Sequence, residues 1–238
     1  MKETHIEFDM DGRSHAGYVC EPAPHEGRLW PGVLVFHGGG GLGAHERERA
    51  HRLANLGYLA FAPDLFGEAI QSREQGMALI NSLRSDTKLL RSRVYAALAQ
   101  LCANPGVDSK RLAAIGFCLG GMCALELARS GAPLRAAISF HGGLTTGAPA
   151  EEGAVRAALL VCHGAADPFV TREHLAGFEA EMTRARADWQ TQVYADAMHS
   201  FTERPVEGRP ARPGLAYNEA ADRRSWAAMK LLLEEVFI

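Results

Sequence analysis

Polar and apolar residues alternate along Thr4-His5-Ile6-Glu7-Phe8 and again along Ser14-His15-Ala16-Gly17-Tyr18-Val19-Cys20, on either side of Asp11-Gly12. Period-two alternation flanking Asp-Gly predicts an antiparallel hairpin, because that dipeptide accepts the positive φ angles a tight hairpin turn needs. After a loop over 22–31 the pattern changes. Gly32-Val33-Leu34-Val35-Phe36, Tyr58-Leu59-Ala60-Phe61-Ala62 and Arg111-Leu112-Ala113-Ala114-Ile115 are nearly unbroken apolar runs, as expected of strands covered on both faces. Further strands are predicted near 135–140, 157–163 and 190–195. Helical periodicity fills the gaps: 44–56, closing at Gly57; a helix-rich stretch over 74–101, interrupted near 82–86; then 119–130, 171–186 and 217–236. This alternation predicts an α/β fold, a mostly parallel central sheet with helices on both faces and the N-terminal hairpin as an antiparallel edge. Trp226, Met229, Leu233, Val236 and Phe237 form an apolar stripe that packs the last helix on the sheet. The charged run His45-Glu46-Arg47-Glu48-Arg49 reads as a solvated helix face, with Glu46 near the pocket. No repeat, low-complexity tract or linker interrupts the chain, so 1–238 is expected to form a single domain.

Composition narrows the function classes. Hydrophobic residues make up 47% of 238, enough for a sizeable core, and the net charge of −3 gives no footprint for nucleic acid or a membrane surface. No charged-then-apolar leader and no long apolar run is evident. Five cysteines, Cys20, Cys102, Cys118, Cys123 and Cys162, show no zinc-type spacing, and their odd number argues for reduced thiols and a cytoplasmic setting.

The candidate chemistry begins at Gly116-Phe117-Cys118-Leu119-Gly120-Gly121, between an apolar strand and a helix-compatible run. Gly-x-Cys-x-Gly is the cysteine form of the nucleophile elbow of the α/β-hydrolase fold. The turn strains the central residue and demands small neighbours two positions away, which Gly116 and Gly120 provide. A thiol at the start of a helix is favoured as a thiolate. The remaining parts follow in the order that fold requires. Asp167 leaves a buried strand, and His199 follows another. Asp196 is a rival acid without the strand-end context. Earlier, His37-Gly38-Gly39-Gly40-Gly41 follows an apolar strand and suits an oxyanion loop. The backbone N–H groups of Gly39 and Leu119 are the expected donors. A phosphate loop would need Lys and Ser or Thr after the glycines, and these are missing.

Taken together, His37-Gly38-Gly39-Gly40-Gly41-Leu42, Ala62-Pro63-Asp64-Leu65-Phe66-Gly67, Gly116-Phe117-Cys118-Leu119-Gly120-Gly121, His163-Gly164 with Asp167-Pro168, and His199-Ser200-Phe201 resemble the dienelactone hydrolase family. The resemblance implies a thiol-dependent hydrolase of small esters or lactones with the triad Cys118, Asp167 and His199, acting without metal or organic cofactor, as a monomer or homodimer. Two positions depart from the family pattern. Members that open dienelactone carry a glutamate, the partner of the resting cysteine, where this chain has Gly38. They also carry a carboxylate-binding arginine four residues after the triad histidine, where this chain has Glu203, with Arg204 one step on. The chemistry therefore transfers better than the substrate, and dienelactone itself is not expected.

Several residues have structural readings beside functional ones. Gly38, His141, Phe169 and Arg204 are candidate pocket-lining residues. Arg73, Arg84, Arg204 and Arg209 are unranked anchors for a substrate carboxylate, and Tyr217 or Arg223 could face the rim. His37 is expected to prop the glycine loop, His163 to orient the acid loop, Asp64 to shape a local turn, and Cys123 to lie in the core. The loop over 201–214 covers the site or forms mobile surface. Three alternatives stay open: a general small-ester esterase or thioesterase, a catalytically silent binding protein, and a redox-sensing thiol, for which no resolving cysteine is evident.

Overall fold

In a computed structural model, residues 1–23, 27, 29–204 and 212–238 are described. The hairpin forms as expected. Strands β1 (Lys2–Met10) and β2 (Arg13–Glu21) pair antiparallel, and the turn between them has φ of 57° at Asp11 and 71° at Gly12. The other strands are β3 (Trp30–Phe36), β4 (Leu59–Pro63), β5 (Val107–Phe117), β6 (Ala136–Phe140), β7 (Ala158–Gly164) and β8 (Trp189–Tyr194). They join one sheet in the order β1-β2-β4-β3-β5-β6-β7-β8, in which β2 alone runs against its neighbours.

The helices are α1 (Ala44–Asn55), α2 (Arg73–Ser85), α3 (Thr87–Cys102), α4 (Leu119–Arg129), α5 (Arg172–Arg184) and α6 (Glu219–Val236). Strand alternation divides the core in two. Leu34, Phe36, Leu112 and Ala114 face α2 to α5, while Val33, Val35, Ala113 and Ile115 face α1 and α6. The end of α1 shows why Gly57 stands there. Its φ is 91°, and bonds from Gly57 N to Ala54 O (3.0 Å) and from Tyr58 N to Leu53 O (3.1 Å) close a left-handed cap. The interruption in the 74–101 stretch is a single residue, Asp86, whose carboxylate accepts from Leu89 N at 2.9 Å and starts α3.

Two strands begin earlier than the apolar runs suggest. β3 includes Trp30 and Pro31, within the expected loop, and β5 starts at Val107. Their pairing shifts register between Pro31 and Gly32, so the proline's missing N–H sits at a bulge rather than in a regular ladder. The charged run on α1 is the larger correction. Glu46 and Arg49 are buried with Ala50 and Leu53, so one side of that run faces the protein. Among the described residues, no helix is long and apolar enough to cross a membrane.

Candidate active site

The carboxyl ends of β3, β5, β6 and β7, and the loop after β8, converge at one edge of the sheet. β5 ends at Phe117 and α4 begins at Leu119, which leaves Cys118 alone to make the turn, with φ of 54° and ψ of −114°. A non-glycine residue held there costs on the order of 1–3 kcal/mol, which the surrounding packing must offset. The flanking glycines permit that packing. A methyl on Gly116 would collide with the Gly120 carbonyl, and one on Gly120 would collide with the Phe36 carbonyl at the end of β3.

The thiol so presented meets His199. Its Nε2 lies 3.1 Å from Cys118 Sγ, while Nδ1 lies 2.7 Å from Asp167 Oδ2. Asp167 is fixed in turn by N–H donors from Phe169 (2.8 Å) and Val170 (3.0 Å) to its other oxygen. Burial opposes the charged forms of both partners. For Asp167 it is outweighed by the His199 hydrogen bond and charge and the two backbone donors, so its carboxyl sits below the ordinary value. For His199 the bonds and charges of Asp167 and Cys118 outweigh burial and raise its pKa to about 10. The arrangement favours an imidazolium at His199, between the Asp167 carboxylate and the Cys118 sulfur. Asp196 is exposed and takes no part.

Behind the turn lies a second histidine. His141, at the end of β6, has φ of 43° and is 1% exposed. Its Nδ1 accepts from Cys118 N–H at 3.2 Å, and its Nε2 lies 2.8 Å from Thr202 Oγ1. Burial first, then above all the positive charges of His199 and Arg49, hold its pKa well below the ordinary value, so it stays neutral and able to accept. This corrects the expectation that His141 lines the pocket: its backbone turns the ring inward, beneath the elbow.

That brace continues to a residue the sequence reading missed. Arg49 Nη2 donates to Thr202 O (2.9 Å) and to Asp222 Oδ1 of α6 (2.8 Å). Its guanidinium lies 5.7 Å from the Phe117 ring and 5.2 Å from the Trp226 ring. Buried Glu46, Arg49, Ala50 and Leu53 follow helical spacing, so the signal was present, but their charges pointed to solvent.

The glycine loop is held as expected. His37 Nε2 accepts from Leu65 N–H (2.9 Å), which leaves Nδ1 to donate to Gly38 O (2.7 Å). Asp64 accepts from Phe66 and Gly67 and shapes its turn, and Cys123 is buried in the core. The Gly39 and Leu119 N–H groups have no hydrogen-bond partner among the described residues. α2 covers the loop closely enough that a methyl on Gly39 would strike Ile80. Phe169 stands exposed at the rim, its ring 5.5 Å from that of His199.

The two family departures meet in space. A methyl on Gly38 would lie 3.4 Å from Cys118 Cβ and 3.6 Å from Glu203 Oε1. Of the candidate arginines, Arg204 is exposed with its guanidinium 5.7 Å from the Tyr217 ring. Arg84 lines an open cleft of about 420 Å³ with Asn81, Met122, Thr145 and Thr146. Arg209, and the 205–211 part of the loop expected to cover the site, lie outside the described residues. Among the described residues, no group of three or more His, Cys, Asp or Glu is placed to hold a metal.

Known proteins resemble this chain in sequence and in fold. The solved structure m3DLH has a TM-score of 0.92 at 43% identity, covering 100% of this chain and 99% of that one. A dienelactone hydrolase-like promiscuous phosphotriesterase from metagenomic libraries has a TM-score of 0.90 at 40% identity, with coverage of 100% and 99%. A candidate carboxymethylenebutenolidase of Yersinia pestis is 30% identical over 225 residues, 89% of this chain and 80% of that protein. With residues 16–237 matching the family as a whole, the chain belongs to the dienelactone hydrolase family, within the α/β-hydrolases.

Proposed function

We propose that this family member hydrolyses carboxylic ester or lactone bonds of small molecules through a thioester on Cys118, within one domain spanning 1–238. The observation that carries this reading is the continuous relay from Asp167 through His199 to a thiol on a strained turn, with contacts of 2.7 and 3.1 Å. The thiolate of Cys118 attacks the carbonyl carbon. The new oxyanion accepts from the N–H groups of Leu119 and Gly39, each such donor being worth about 3 kcal/mol of barrier. As the tetrahedral adduct collapses, the C–O bond breaks, and the leaving alkoxide takes a proton from His199 Nε2. A water then gives a proton to Nε2 and attacks the thioester, and the acid departs with the thiolate restored. Asp167 keeps the imidazole in the required tautomer throughout. Small molecules are thus the expected partners, and Gly38 and Glu203 favour ordinary small esters over dienelactone.

A second electrophile is suggested by the phosphotriesterase relative, 40% identical across the whole chain. The same thiolate can displace an aryl oxide from a phosphotriester, leaving a phosphorylated sulfur for water to attack.

Turnover of p-nitrophenyl acetate and of a p-nitrophenyl phosphotriester by wild type, Cys118→Ala and Asp167→Asn tests the assignment. Cys118→Ala is expected to lose more than a thousandfold in rate, and Asp167→Asn on the order of 10⁴, as in the serine template. A Cys118→Ala protein as active as wild type would remove the proposal.

A further inference from the structure

The side chain at 203 brings a carboxyl to the same side of Gly38 as Cys118. Glu203 Oε1 and Cys118 Cβ both fall within van der Waals reach of one point beside Gly38. The carboxyl is therefore separated from the nucleophile by little more than the space of one missing side chain. Glu203 keeps exposed surface as a residue, while its carboxyl is turned toward Gly38 and Cys118 and is surrounded by protein. It is held in that direction from two sides: Ser200 Oγ donates to Oε1 at 3.1 Å, and Glu203 N–H donates to Ser200 O at 2.9 Å. Ser200 adopts φ of 58° to make this turn directly after His199. Among the described residues, no lysine or arginine forms an ion pair with Glu203.

Resting on the thiol-hydrolase reading above, we propose that Glu203 sets the charge of the substrate: uncharged or cationic molecules reach Cys118, and those bearing a carboxylate are rejected. The physical reason is a like charge close to the reacting carbon, in a cleft where the effective dielectric is well below that of water. The groups facing Glu203 fix the pH range of the effect. Surrounding protein, and then Glu46 of α1, disfavour its ionisation; the Ser200 bond, His199 and Arg212 favour it, and the balance raises its pKa. Selection against anions is therefore weakest at the acid end, below the raised value, and grows as pH rises through it.

The test uses two alkylating agents of nearly equal size, neutral iodoacetamide and anionic iodoacetate. Rates of modification at Cys118 are read by peptide mass, for wild type, Glu203→Gln and Glu203→Arg, from mild acid to mild base. The expected neutral-to-anionic preference in wild type increases tenfold or more with pH. Glu203→Gln flattens that rise, and Glu203→Arg reverses the preference. A purely structural role for Glu203 would change both rates together; a ratio in Glu203→Gln within twofold of wild type at every pH would overturn the inference. The same ratio measured as kcat/KM for p-nitrophenyl butyrate against the mono-p-nitrophenyl ester of glutaric acid extends the test to turnover. Charge-selective alkylation without ester turnover would keep Glu203 as the selector and discard the hydrolase reading.

Discussion

Two buried arginines stand on opposite faces of the sheet, and they are satisfied very differently. Arg129 on α4 uses its whole fork: Nε and Nη2 bind both oxygens of Glu181, Nη1 binds Glu126, and Nη2 also reaches Leu144 O, all within 3.0 Å. Arg91 adds a further bond to Glu126. Arg49 on α1 donates from one nitrogen to Thr202 O and Asp222, while among the described residues Nε and Nη1 are buried without a hydrogen-bond partner, Nε lying 3.8 Å from a Glu48 oxygen, and aromatic rings stand beside the guanidinium. Complete pairing is what a buried charge needs if stability is its only role. The incomplete pairing occurs where the residue holds Thr202, whose hydroxyl meets His141, whose ring accepts from the N–H of Cys118. A local rule is broken next to the chemistry and kept away from it.

Substitutions can break this comparison. Arg129→Met should have the largest effect, because it leaves Glu126 and Glu181 buried without the guanidinium that binds both. Loss of one partner of a buried pair costs about 3–5 kcal/mol, and two carboxylates are stranded here. Urea unfolding is expected to show a collapse in midpoint, while the folded fraction keeps near wild-type turnover. Asp222→Ala should cost about 3 kcal/mol and also lower kcat roughly tenfold, on the order of 1.4 kcal/mol of barrier, because Arg49 loses its anchor on α6. If its kcat stays at the wild-type value, Arg49 is as purely structural as Arg129. Thr202→Val is the mildest. It strands His141 Nε2, at about 1–3 kcal/mol, and its stability loss should come with a lower kcat at nearly constant KM. An unchanged kcat there would show that the elbow does not depend on the brace.

The elbow itself was legible because its constraints are local. Gly116, Cys118 and Gly120 sit within five positions, and backbone collisions dictate their identity. Asp11-Gly12 and Gly57 were legible for the same reason, a backbone angle that few residues accept. That Cys118, Asp167 and His199 would meet was legible from order and strand-end placement rather than from contact. What was hidden depended on distant partners. Arg49 and Asp222 are 173 positions apart in sequence, and without that pairing a charged helix turn reads as solvated. His141 was placed at the right strand end, but the direction of its ring depends on a φ of 43°, which nothing nearby announces. Gly38 and Glu203 each stood out as a departure from the family pattern. Only folding shows that they share one location beside Cys118 Cβ. The early starts of β3 and β5 escaped notice because the register shift that admits Pro31 belongs to the pair of strands, not to either alone.

The central claim is that Cys118 carries the acyl group, and intact mass measured within the first turnovers of p-nitrophenyl acetate tests it most directly. The account requires a nitrophenol burst, an acetyl increment on the wild-type chain localised to Cys118, and loss of both in Cys118→Ala. A wild-type protein that turns over the ester with no acetyl increment, or an increment and burst that persist in Cys118→Ala, would contradict it.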